Sequence, residues 1–228
     1  MALKAVLFDL GGTLIKTAPP PEIIRRILAA HGIVRAIEDI ALAHEKAESS
    51  MRPEDYGLSY YEFWIKWNRT ILDELQIHEG ADFLAKVLVD EWWDNADVEL
   101  YPEVNETLRY LKVMGLKMGV VTNAFEKDIE EILRRVDLPV AFDVRVGIDS
   151  VKKPKPDPEA FIFAVRMLGV KPEEAIFVGD SLEKDYFGAL RAGLRAVLLD
   201  RDNKVKEKHL TRIRSLWELI DLFGENFF

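Results

Sequence analysis

Lys4-Ala5-Val6-Leu7-Phe8-Asp9-Leu10-Gly11-Gly12-Thr13-Leu14 is the stretch whose reading decides the fold. Val6, Leu7 and Phe8 form an apolar, β-favouring run that stops at Asp9 and a glycine pair. That is the pattern of a buried parallel strand delivering a carboxylate to its C-terminal edge. Gly11 and Gly12 let the backbone turn tightly beside whatever Asp9 faces. Ligands in open α/β sheets bind beyond the carboxyl ends of the strands, so Asp9 stands where chemistry is expected. Taken alone, the same residues equally fit a strand-end Asp that caps the next turn.

Outward from this stretch, 228 residues with 49% hydrophobic side chains can bury a full core, as one large domain or as a domain with an insertion. The 31 Lys and Arg against 40 Asp and Glu give a formal net charge of −9, which repels nucleic-acid backbones, and no local basic patch overrides it. Cysteine is absent, which excludes disulfides, thiolate metal sites and cysteine nucleophiles. Apolar runs are strand-sized, shorter than the ~18 residues of a membrane span, and Met1 to Leu10 reads as a strand and not as a signal peptide. The expectation is a cytoplasmic protein with neither a nucleic-acid nor a membrane partner.

After Ile15 the texture is helical from Pro21 to about Trp93. Ile23, Ile24, Ile27 and Leu28 recur at helical spacing and stop at Gly32. Ile40 to Ala47 is a weaker second helix. A third starts at Ser59, whose spacing to Glu62 suits a capping box, with Tyr60, Phe63, Trp64, Trp67, Ile71 and Leu75 as its stripe. Packing of a helix face explains those aromatics better than a substrate clamp does. Leu84, Val87, Leu88 and Trp92 mark a fourth helix.

From Leu100 helix and strand alternate. Val104, Leu108 and Leu111 share a helix face, Met118 to Val121 is a strand, and Ile129, Ile132, Leu133 and Val136 lie on a helix. A strand around Val144 to Val146 follows. The proline-rich loop Lys153 to Pro158 precedes a helix ending at Gly169, and Ala175 to Val178 is a strand. Phe187 and Leu190 lie on a helix, Ala196 to Leu199 is the final core strand, and Leu216, Leu219, Ile220 and Phe223 form the closing helix. Such alternation predicts an α/β fold, a Rossmann-like parallel sheet with helices on both faces.

The strand ends then deliver Asp9, Thr122-Asn123 and Asp180, with Lys155 on a loop in the same half. A parallel sheet brings these ends to one edge. The ordered set Asp9-Leu10-Gly11-Gly12-Thr13, Thr122-Asn123, Lys155-Pro156-Asp157-Pro158 and Gly179-Asp180-Ser181 with Asp185 resembles the haloacid dehalogenase-like (HAD) hydrolase superfamily over essentially the whole chain. The resemblance implies a catalytic core of residues 1–16 and 98–228, a helical cap of residues 17–97, and an Asp9 nucleophile that becomes an aspartyl-phosphate. It also implies Mg2+ held by the Asp9 carboxylate, the Gly11 carbonyl and Asp180, with Asp185 as an outer or water-mediated partner. Small phosphorylated metabolites are the implied substrates.

Elementary chemistry agrees. Carboxylates converging within about 4 Å repel by roughly 4 kcal/mol per pair at an effective dielectric near 20, so a cation is needed to keep them ionised. An all-oxygen ligand set favours magnesium over zinc. Phosphoryl transfer is mostly positioning and neutralisation of oxygen charge, which gives Thr122 and nearby amides, with Asn123 beside them, a phosphoryl-holding role and Lys155 a fixed charge beside Asp9. Thr13 is expected to orient the nucleophile loop through its hydroxyl. Lys153 matches the Lys-Pro-x-Pro pattern one register earlier, but Lys155 is preferred because Asp157-Pro158-Glu159 leads directly into a helix. His31, His44, His78 and His209 show no metal-ligand spacing.

One position departs from the family. Phosphatases of this type carry a second Asp two residues after the nucleophile as general acid and base, and here that position is Gly11. Three alternatives follow: a phosphate-binding module of the same fold with little turnover, a 2-haloacid dehalogenase, and a phosphonate-cleaving enzyme. Gly179-Asp180 speaks against dehalogenation, because dehalogenases replace that pair with a Ser-Asn type sequence.

Overall fold

The computed structural model describes residues 2–224. In chain order its elements are β1 (Ala5–Phe8), β2 (Ile15–Lys16), α1 (Pro20–Ala30), α2 (Ile37–Ser50), α3 (Tyr60–Glu74), α4 (Ala81–Asp90), β3 (Glu99–Leu100), α5 (Val104–Val113), β4 (Lys117–Val121), α6 (Glu126–Arg135), β5 (Val144–Val146), α7 (Ile148–Val151), α8 (Glu159–Leu168), β6 (Ala175–Gly179), α9 (Gly188–Arg191), β7 (Arg195–Leu199), β8 (Arg212–Ile213) and α10 (Leu216–Gly224). The chain divides into two compact units, one running through Lys16 and again from Glu99 onward, the other Thr17–Val98.

The first unit is an α/β layer structure on a six-stranded sheet in the order β5-β4-β1-β6-β7-β8, with every pairing parallel. All four residues of β1 are buried, as expected of a strand covered on both faces. Phe8 is in register with Val120 of β4 and Val178 of β6, which aligns the C-terminal ends of the three central strands. One face packs Leu7, Val146 and Leu198 against α8, where the Phe161 and Phe177 rings meet edge-on at 4.9 Å. Fully burying one such side chain stabilises the fold by about 1.5–3 kcal/mol.

The second unit is all-helical. Ile24, Ile27 and Leu28 of α1, Ile40 of α2, Ile71 and Leu72 of α3 and Leu88 of α4 form its core. Ser59 and Glu62 do engage: the Ser59 amide and hydroxyl both donate to Glu62, at 3.0 and 2.6 Å. Of the aromatic stripe Phe63 is buried and Trp64 and Trp67 are half-buried, tilted or edge-on to one another. His44 packs edge-on to Trp67, and burial pushes its pKa down.

Two local expectations need correction. β7 is not the last strand, because Arg212–Ile213 adds β8 at the sheet edge. The segment after β6 begins as a π-helical turn, Leu182–Phe187, before α9. Among the described residues no helix is long and apolar enough to cross a membrane.

Candidate active site

Alignment of the central strands places the chemistry. The Asp9 amide donates to the Val178 carbonyl at 2.9 Å, continuing the β1–β6 ladder by one residue, so the Asp9 side chain leaves the sheet at its C-terminal edge. Thr122 follows β4 and Asp180 follows β6 at the same edge. Asp185 comes from the π-helical turn, where the amides of Asp185 and Tyr186 both donate to the Ser181 carbonyl. Such wide turns recur at functional sites. Asp9, Asp180 and Asp185 each offer a carboxylate oxygen, and these oxygens lie within 4.8 Å of one another.

Lys155 sits in this cluster and is 4% exposed. Its Nζ donates to Asp9 Oδ1 at 2.7 Å, Asp185 Oδ1 at 2.7 Å and the Val121 carbonyl at 2.9 Å. Burial opposes the ammonium charge, but the two carboxylates outweigh it and hold the pKa above 10.5. Asn123 fixes the lysine's backbone from both sides: its Nδ2 donates to the Lys155 carbonyl at 3.0 Å and its Oδ1 accepts from the Lys155 amide at 2.7 Å. Lys153 lies outside the cluster, half-exposed and 3.8 Å from Glu159. Thr122 Oγ1 accepts from the Ala124 amide at 3.3 Å, and Asp185 Oδ2 accepts from the Ser181 amide at 2.9 Å.

Asp9 is 9% exposed. Burial raises its carboxyl from the ordinary 3.8 to about 7, against the pull of Lys155 and with the help of Asp185. Three carboxylates around one ammonium are a hard-oxygen donor set with surplus negative charge, and they could hold a metal ion.

The Gly11-Gly12 pair divides its labour. Gly12 has φ +74°, and a Cβ built there would clash with the Asp180 carboxylate, whereas Gly11 is outside the left-handed region and nothing among the described residues lies within 4 Å of a Cβ built on it. Gly12→Ala is therefore expected to cost about 1–2 kcal/mol of backbone strain and to push the Asp180 carboxylate away. Activity should fall about 100-fold or more while the melting temperature drops only a few degrees. Equal activity per folded molecule would show that Asp180 placement does not matter.

Thr13 is buried, and among the described residues its hydroxyl has no hydrogen-bond partner, so the orienting bond expected of it is not seen there. The loop is gripped at its carbonyls instead. Arg201, just beyond β7, donates from Nε to the Gly12 carbonyl at 3.2 Å and from Nη2 to the Thr13 carbonyl at 2.9 Å. Arg201 lies outside every motif quoted from the sequence. Its signal was Leu199-Asp200-Arg201, another strand end on the edge that supplies Asp9 and Asp180.

Comparison with known proteins identifies the family. A sequence-family model described as haloacid dehalogenase-like hydrolase matches residues 3–193. The chain is 32% identical to a glyceraldehyde 3-phosphate phosphatase of Methanopyrus kandleri, over 96% of this chain and 97% of that protein. Its fold is similar to the crystal structure of a HAD phosphatase from Thermococcus onnurineus, with TM-score 0.68, 27% identity and coverage of 97% and 98% of the two chains. It is also similar to a 2-haloacid dehalogenase from Pseudomonas syringae pv. tomato, with TM-score 0.74, 25% identity and coverage of 98% and 99%. Both chemistries occur on this fold, so the site must decide between them. With its family match and its whole-length relative, the chain belongs to the haloacid dehalogenase-like hydrolases.

Proposed function

We propose that this protein is a magnesium-dependent phosphatase of small phosphorylated metabolites, with Asp9 as its nucleophile. The supporting observation is the buried pairing of Asp9 with Lys155 inside a cluster that also holds Asp180 and Asp185. A 2-haloacid dehalogenase needs no cation, and three converging carboxylates with one lysine favour one. The name of the Methanopyrus kandleri relative supports a compact phosphorylated metabolite as substrate.

In this reading an Asp9 oxygen attacks phosphorus, the bond from phosphorus to the leaving oxygen breaks, and that oxygen departs with the electron pair and takes up a proton. Water then attacks the phosphorus of the aspartyl-phosphate. The bond to Asp9 breaks, and inorganic phosphate and the Asp9 carboxylate are restored. Lys155 holds Asp9 Oδ1 and so aims the other oxygen, while Asn123 holds Lys155. Thr122 and the amides beyond β4 bind phosphoryl oxygens. Asp9, Asp180 and the Gly11 carbonyl would hold the magnesium, with Asp185 behind them, fixed by Lys155 and the Ser181 amide. When bound, the cation neutralises charge on the phosphoryl oxygens and favours ionised Asp9.

Phosphate release from an aryl phosphate, an acyl phosphate and glyceraldehyde 3-phosphate, with magnesium and with chelator, is the test, run beside halide release from 2-haloacids. Magnesium-dependent phosphate release is expected. Halide release that persists in chelator, or no turnover of any phosphate, would overturn the reading.

Magnesium binding should also report on Asp9. With its carboxyl near 7 in the metal-free protein, Asp9 is mostly protonated at pH 6, and a cation must displace that proton. Calorimetry at pH 6 in buffers of different ionisation enthalpy should show about one proton released per magnesium. Affinity should rise roughly tenfold per pH unit up to about 7 and level off above. A binding heat independent of the buffer would show that Asp9 is already ionised at pH 6 or stands outside the ligand set, and Asp9→Asn, which keeps wild-type magnesium affinity only in the second case, separates the two.

A further inference from the structure

Arg201 belongs to none of the motifs that carry the proposed chemistry, yet it makes a dense set of polar contacts. Besides the Gly12 and Thr13 carbonyls, its Nη1 donates to Glu103 Oε1 at 2.6 Å, and its Cζ lies 3.5 Å over the centre of the Tyr101 ring. Its side chain is only 20% exposed. Glu103 is itself 3% exposed, and the same Oε1 accepts from the Leu216 amide at the start of α10. The Tyr101 amide donates to the Leu14 carbonyl, so the ring under the guanidinium is tied to the same loop.

The guanidinium is thus held from two sides, by the Glu103 carboxylate and by the Tyr101 face, and presents two further N–H groups to consecutive carbonyls. Those carbonyls follow directly on the Gly12 Cα, which lies against the Asp180 carboxylate. Asp9 and Gly11 stand immediately upstream. Two residues far apart in sequence, at positions 12 and 201, are joined by a planar group whose geometry admits little play.

We propose that Arg201 is a positioning residue: by clamping the Gly12 and Thr13 carbonyls it holds the Asp9–Gly11 segment in register with Asp180. Glu103 and Tyr101 aim the clamp. This rests on the phosphatase reading for its assay, but wild-type turnover tests that reading separately, so the two can fail independently.

The variants are Arg201→Met, Arg201→Lys and Glu103→Gln, each measured for kcat, KM, magnesium affinity by calorimetry, and melting temperature. A misplacement of about 1 Å can cost about 100-fold. Arg201→Met is expected to lower kcat roughly 10- to 100-fold with KM within about threefold, and to weaken magnesium binding severalfold. Arg201→Lys keeps the charge but loses the fork, so it should recover only part of kcat. Glu103→Gln keeps the shape and weakens the aim, with a loss of severalfold in kcat. If Arg201→Met does not fold, the Lys and Gln variants carry the decision. A lower melting temperature with unchanged kcat and magnesium affinity in the folded variants, or full recovery by Lys, would overturn the proposal.

Discussion

Substituting Asp9 with Asn is expected to abolish phosphate release, by about 10⁴- to 10⁶-fold, and at the same time to stabilise the metal-free protein above pH 7. The first effect follows because the amide keeps the shape of the side chain but has no carboxylate to form the covalent intermediate. The second follows from the cost of burying a charge. Folded Asp9 keeps its proton up to about pH 7, whereas an unfolded Asp releases it near 3.8. Between those values the folded chain binds more protons than the unfolded one. Wild-type stability therefore falls as pH rises across that window and levels off above it, by about 1.4 kcal/mol per pH unit and on the order of 4 kcal/mol in all. Asn at this position has nothing to ionise, and Lys155 keeps Asp185 as a partner. Thermal melts in chelator from pH 4 to 9 should show a gap in favour of Asp9→Asn that opens with pH to on the order of 10 °C. Parallel curves would show that Asp9 ionises freely in the folded protein, and full activity of the variant would remove Asp9 as nucleophile.

Asp9 and Asp180 were readable in the sequence, because each lies where an apolar strand stops. Val6 to Phe8 ends at Asp9 and Ala175 to Gly179 ends at Asp180, and a parallel sheet must bring such ends together. Lys155 could be preferred over Lys153 because Asp157-Pro158-Glu159 starts a helix, and that helix is α8. What the sequence did not disclose depended on contacts without local pattern. β8 is two residues long, too short for any alternation to register. The hydroxyl of Thr13 is silent while its carbonyl is engaged, and no side-chain pattern marks a carbonyl. Arg201 looked like any charged residue in a turn until the fold set it beside a loop at the other end of the chain. The glycine pair was legible as a turn, but which member needs the left-handed conformation is a property of φ and not of composition.

That last distinction makes position 11 open to engineering. A positioned general acid contributes about 10²- to 10⁴-fold, mainly by protonating a poor leaving group, and the resemblance drawn from the sequence implies such an acid two residues after Asp9, where this chain has Gly11. Wild-type enzyme is therefore expected to prefer aryl and acyl phosphates, with a steep dependence on leaving-group pKa, and to be slow on alkyl esters such as glyceraldehyde 3-phosphate. The member with the left-handed φ is Gly12; among the described residues nothing lies within 4 Å of a Cβ built at Gly11, and its φ is outside the left-handed region. Gly11→Asp should consequently fold normally, raise kcat/KM on alkyl phosphates by about 10²-fold or more, and flatten the leaving-group dependence. The pH profile on alkyl substrates should gain an alkaline limb as the new acid loses its proton. If wild type already hydrolyses glyceraldehyde 3-phosphate as fast as an aryl phosphate, another group supplies the proton. Gly11→Asp would then bring no gain on alkyl esters, and a proton donor elsewhere in the chain would have to be sought by substitution.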